Sequence, residues 1–100
     1  MAKTIQEFLE IAVREDASDL HITTHIPPRI RVHGVLKSVD HPPLTPSETK
    51  QIIYSVLTDR QKRQFEEKLE LDFSFGLKDL GRFRANVFLQ KGAVAGAFRR

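Results

Sequence analysis

Gly81-Arg82-Phe83-Arg84-Ala85-Asn86-Val87-Phe88-Leu89-Gln90, then Lys91-Gly92, then Ala93-Val94-Ala95-Gly96-Ala97-Phe98-Arg99-Arg100, is the stretch that decides the fold. Phe83, Ala85, Val87 and Leu89 alternate with Arg82, Arg84, Asn86 and Gln90, the period-two pattern of a strand with one buried face. Lys91-Gly92 supplies a two-residue turn into a second strand, in which Val94, Gly96 and Phe98 share a side. That turn sets Leu89 against Val94 and Ala85 against Phe98. Both pairs are apolar on both sides, and a four-residue loop over 90–93 gives the same pairing. The same register puts Arg84 directly opposite Arg99 on the outer face. Arg82 lies one step along that face, about 7 Å from Arg84.

Upstream, Leu71, Phe73 and Phe75 alternate with Asp72 and Ser74, predicting a strand that turns through Gly76–Gly81 into the hairpin. Before it, Thr58 with Gln61 caps a helix over roughly 59–69, anchored by Phe65 and Leu69. Its charges have the spacing for i,i+4 pairs (Asp59–Arg63, Lys62–Glu66, Arg63–Glu67), each worth a few tenths of a kcal/mol. Thr45-Pro46-Ser47-Glu48 is a clear helix start, with an N-cap, proline at the first helical position and glutamate at the third. Ile52, Ile53, Val56 and Leu57 form the buried stripe of that helix.

Towards the other end, Thr4 and Glu7 have capping-box spacing, and Ile5, Phe8, Leu9, Ala12 and Val13 predict an amphipathic helix over 5–15. Leu20 and Ile22 alternate with Asp19, His21 and Thr23. Pro27-Pro28 interrupts pairing because neither residue has an N–H to donate. Ile30 and Val32 alternate with Arg29, Arg31 and His33, and His33-Gly34 turns into a strand over Val35–Val39, with Gly34 free to take positive φ. The order is α-βββ-αα-βββ. It predicts an α+β, PAS-like domain with an antiparallel-rich sheet of about six strands and helices on one face.

One hundred residues make a single domain with a modest core. A hydrophobic fraction of 40% and a charged fraction of 29% are those of an ordinary globular chain. No apolar run approaches a membrane span, no signal peptide is visible, and the absence of cysteine removes disulfides and thiolate metal sites. The net charge of +3 is uneven: residues 82–100 carry +5 and the rest sums to −2. A basic end on a nearly neutral body predicts one local anionic contact.

The opposed arginines are the main candidate for that contact. Like charges facing each other across a sheet are destabilising. An anion between the guanidiniums would resolve the conflict, because their forked donors match phosphate or carboxylate oxygens. The alternative is that each arginine pairs with a carboxylate from elsewhere or points into water. Arg29, Arg31 and His33 form a second basic row, read as the exposed face of a half-buried strand. His21, His25, His33 and His41 lack metal-site spacing. Asp19 and His21 share a strand face, but no nucleophile is placed near them. Phe88 is either an isolated surface apolar residue or a docking point. No phosphate loop, dinucleotide fingerprint or nucleophile elbow is present, so the chain carries no catalytic apparatus of its own.

Ala17-Ser18-Asp19-Leu20-His21-Ile22 and Pro27-Pro28-Arg29-Ile30-Arg31-Val32-His33-Gly34-Val35-Leu36 resemble the N-terminal domain signature of the type II/type IV secretion ATPases. Leu69-Glu70-Leu71-Asp72-Phe73-Ser74-Phe75 and Gly81-Arg82-Phe83-Arg84-Ala85-Asn86-Val87-Phe88 resemble the pilus-retraction (PilT) branch. His33 departs from the aspartate more usual before the turn glycine. The resemblance implies that residues 1–100 are the PAS-like N-terminal domain of a two-domain ATPase, with a RecA-like domain following residue 100. It implies ATP and magnesium in the parent protein and none bound by this domain alone. The implied partners are its own RecA-like domain, neighbouring subunits of a homohexamer, and an inner-membrane pilus platform protein. The implied location is cytoplasmic, at the inner face of the inner membrane. Arg82, Arg84 and Arg99 occupy the positions expected to meet nucleotide phosphates.

Two other functions fit the same pattern. A free-standing PAS-like module would bind a small acidic ligand. A nucleic-acid-binding domain would use the basic hairpin, but with Phe88 the only outward aromatic it lacks a stacking platform, so no nucleic-acid partner is expected.

Overall fold

The structure, a computed structural model, describes residues 3–100. Three threonines set where the helices begin. Thr4, Thr45 and Thr58 sit in extended backbone, and each accepts a hydrogen bond from the backbone N–H three residues on. The side chains of Glu7, Glu48 and Gln61 accept the reciprocal bond from the threonine N–H, so two otherwise orphaned donors are satisfied at each start. The resulting helices are α1 (Ile5–Arg14), α2 (Pro46–Tyr54) and α3 (Asp59–Lys68).

The strands are β1 (Asp19–Ile22), β2 (Arg29–Val32), β3 (Val35–Ser38), β4 (Glu70–Leu77), β5 (Gly81–Gln90) and β6 (Ala93–Arg99). They form one sheet in the order β3-β2-β1-β6-β5-β4, with every neighbouring pair antiparallel. Two three-stranded meanders therefore meet where β1 pairs with β6. Both two-residue turns have left-handed backbone at each position, His33 and Gly34 at φ 50° and 82°, Lys91 and Gly92 at φ 52° and 79°. Turns of that hand match the twist of the strands they join. The predicted hairpin register holds, with Ala85 opposite Phe98 and Leu89 opposite Val94.

One face of the sheet carries Leu20, Ile22, Ile30, Leu71, Phe83, Val87 and Phe98, all buried. The helices cover it with Phe8, Leu9, Ile53 and Phe65, each at most 2% exposed. Closest approach is at Gly96, where an added Cβ would lie 3.1 Å from Ile53 Cδ1 and 3.2 Å from Phe98 Cε1. Gly96→Ala should therefore lower stability by about 1–3 kcal/mol through overpacking, read as a fall in the urea midpoint at unchanged slope.

Three local expectations are corrected. Val56 and Leu57 lie beyond the end of α2 at Tyr54, Val56 half-buried and Leu57 buried, so only Ile52 and Ile53 of the expected stripe are helical. Leu69 does not anchor α3: it follows the helix in left-handed backbone (φ 60°) and is 52% exposed. The chain reverses there to enter β4, and the reversal turns the side chain outward. The i,i+4 ion pairs of α3 are replaced by other contacts. Lys62 pairs with Asp59 at 3.8 Å, and Glu66 accepts a 2.9 Å hydrogen bond from Tyr54 Oη on α2. Burial and that acceptor together push the Tyr54 hydroxyl up to about 12.

Candidate functional site

The face of the sheet away from the helices is polar, and its register places side chains abreast across five strands. Arg31, Asp19, Arg99, Arg84 and Ser74 form one row, running from β2 through β1, β6 and β5 to β4. Arg29, His21, Ala97, Asn86 and Asp72 form the adjacent row. The two basic sets that look separate in the sequence thus lie on a single surface. They are joined because β1 pairs with β6.

Asp19 stands between the two sets, and its side chain is only 14% exposed. Its Oδ1 accepts from Arg99 Nε at 3.2 Å, while Oδ2 accepts from the Ser18 hydroxyl at 2.8 Å and lies 3.5 Å from Arg31 Nε. Burial works against the ionised carboxyl, but the Ser18 and Arg99 bonds outweigh it and hold Asp19 below the ordinary carboxylate value. The other acid on this face, Asp72, accepts from Asn86 Nδ2 at 2.6 Å. Arg82 reaches Ser74 Oγ at 3.4 Å, a long contact. Among the described residues Arg84 has no hydrogen-bond or ion-pair partner, although it faces Arg99 directly.

Of the three sequence-predicted site residues, the structure brings all together on one surface. It gives Arg99 a carboxylate, Arg82 a hydroxyl, and Arg84 nothing. Asp19 and His21 share the face as expected, but the carboxylate serves arginines and makes no hydrogen bond to the imidazole. Phe88 is half-buried beside Ala95. Asp19 is a counter-charge to the arginines, where the sequence pattern pairs it only with His21. The available signal was its parity: it is an acid on the same strand face as His21, beside a basic row that needed a counter-charge.

Among the described residues, His21, Thr23 and Arg29 each keep a buried side-chain atom without a hydrogen-bond partner: Nε2, Oγ1 and Nε. Burial is the main cause holding His21 below its ordinary value of 6.5; Arg29, Arg31 and Arg99 add to it and Asp19 opposes it. The unfolded chain then binds more protons than the folded one just below pH 6.5, so stability falls as pH drops through that window. Urea unfolding at a series of pH values should show the loss, and His21→Gln should remove that part of the slope.

Among the described residues no group of three His, Asp or Glu side chains is placed to hold a metal ion. No helix among them is long and apolar enough to cross a membrane.

No protein-family model matches the chain. The Pseudomonas aeruginosa type IV pilus retraction ATPase PilT is 40% identical over 95 residues, which are 95% of this chain and 28% of PilT. A crystal structure of the pilus retraction motor PilT with bound ADP superposes with a TM-score of 0.92 at 43% identity, over 99% of this chain and 29% of the other. The Legionella pneumophila ATPase DotB shares the fold, with a TM-score of 0.83 at 24% identity over 99% of this chain and 29% of DotB. Fold and sequence together are those of the N-terminal domain of the type II/type IV secretion ATPases. Within that class the likeness is to the pilus-retraction branch, PilT, along nearly the whole chain. The chain spans under a third of the length of the relatives it matches.

Proposed function

We propose that this chain is the N-terminal regulatory and assembly domain of a hexameric pilus-retraction ATPase, and that Arg82, Arg84 and Arg99 meet the phosphates of ATP bound by a RecA-like domain. The observation that carries this reading is Arg84, an exposed guanidinium without a hydrogen-bond or ion-pair partner among the described residues, set against a second arginine. Such a pair is unfavourable by itself and favourable around a phosphate, whose oxygens match the guanidinium fork. The related PilT has been crystallised with ADP, which supports a nucleotide as the anion. Magnesium accompanying the nucleotide is assigned to the RecA-like domain.

In this mechanism ATP supplies a γ-phosphoryl group whose charge differs before and after hydrolysis. Arg84 and Arg82 contact that charge as it develops, and lose their partner once the phosphate leaves. Because both arginines are fixed on one strand, the change is transmitted to the whole sheet as a shift in how this domain sits against the RecA-like domain. Repeated around a homohexamer, that shift would drive pilus depolymerisation at an inner-membrane platform protein, with the motor on the cytoplasmic side.

The test is ATP turnover of the full-length protein carrying Arg82→Ala or Arg84→Ala. Slower hydrolysis with an unchanged melting profile of this domain is the expected result. Wild-type rates in both variants would sink the phosphate role.

A further inference from the structure

We infer that Asp19 is a positioning residue that aims Arg99 at the phosphate, an inference that rests on the nucleotide reading above. Arg99 is 74% exposed at its side chain, and an arginine that free samples many rotamers. What restrains it is a single contact, Nε to Asp19 Oδ1. Both terminal nitrogens of the guanidinium make no hydrogen bond among the described residues, so the end of the fork is left open beside Arg84.

Asp19 is itself fixed in a way that suits this task. Its two oxygens are divided: Oδ2 is taken by the Ser18 hydroxyl and Arg31, and Oδ1 is turned to Arg99. A carboxylate serving only to neutralise charge would take the arginine's paired nitrogens in a two-bond fork. Contact through Nε alone compensates part of the Arg99 charge while preserving the donors that a phosphate needs. Asp19 thereby also lowers the repulsion between Arg99 and Arg84 before nucleotide arrives. The carboxylate and the arginine are 80 residues apart in sequence, so only the β1–β6 pairing brings them together.

The experiment is a double-mutant cycle on ATP hydrolysis by the full-length protein, with kcat and KM measured separately. Asp19→Asn keeps the shape but removes the charge that holds Arg99 and turns one of the two acceptor oxygens into an NH2 donor. Loosely held catalytic groups lose activity steeply with small displacements, so kcat/KM should fall on the order of ten-fold. In the Arg99→Ala background the same change should have no further effect. Ser18→Ala, which leaves the charge but removes the tether on Oδ2, should move kcat/KM in the same direction by less, and it serves if Asp19→Asn does not fold. An Arg99→Ala defect with no Asp19 or Ser18 effect, or with an Asp19 effect of equal size in both backgrounds, overturns the positioning role and leaves the nucleotide reading standing. Wild-type kinetics in Arg82→Ala, Arg84→Ala and Arg99→Ala together would overturn both.

Discussion

Replacing Arg84 with alanine in the full-length protein should lower ATP turnover by about 10²- to 10³-fold, the cost expected if one preorganised donor is removed from a developing charge. The domain itself should not suffer. Arg84 makes no side-chain hydrogen bond or ion pair among the described residues, and its removal relieves the like-charge opposition with Arg99. Stability should therefore be unchanged or rise by a few tenths of a kcal/mol, on the scale of other cross-strand pairs. Function lost while stability is kept separates a phosphate contact from a structural one. Arg84→Lys is the companion variant: it keeps the charge but not the planar fork, and it should recover only part of the rate. Steady-state hydrolysis and urea unfolding, measured on the same preparations, check both halves.

Phe98→Ala should do the reverse and destabilise the domain. Phe98 is 1% exposed at the centre of the sheet, flanked by Leu20 on β1 and Ala85 on β5. Its ring meets Phe75 edge-on with centroids 6.1 Å apart. Truncating a fully buried phenylalanine costs about 3–5 kcal/mol in lost burial and residual cavity. A domain of this size has only about 5–15 kcal/mol to lose. The expected drop in Tm is roughly 15 °C or more for a chain of this length, measured calorimetrically. Phe98 also fixes the backbone that carries Arg99, so the two faces of β6 divide the work: one side holds the sheet together and the other presents charge.

What could be read from the sequence was local. The three capping boxes at Thr4, Thr45 and Thr58 begin their helices where the side-chain spacing says they must, because the signal is contained in four residues. The β5–β6 register follows from one turn and two apolar pairs. That was enough to set Arg84 opposite Arg99. The junction of β1 with β6 was not legible, since no turn links the two strands and only the completed core decides which edges meet. With it went the merging of the Arg29–Arg31 row with the hairpin arginines, and the contacts of Asp19 with Arg31 and Arg99. Leu69 departs from its sequence pattern for a related reason: its spacing suits the buried face of α3, and only the left-handed reversal into β4 takes it out of the core.

The central claim is that Arg82, Arg84 and Arg99 face the phosphates of ATP. It is tested most directly by a crystal structure of the full-length protein with a non-hydrolysable ATP analogue. Guanidinium nitrogens of Arg84, and of Arg82 or Arg99, should lie within about 3 Å of the terminal phosphate oxygens. A nucleotide whose phosphates are met only by other parts of the protein, with the arginine face turned to solvent, would contradict it.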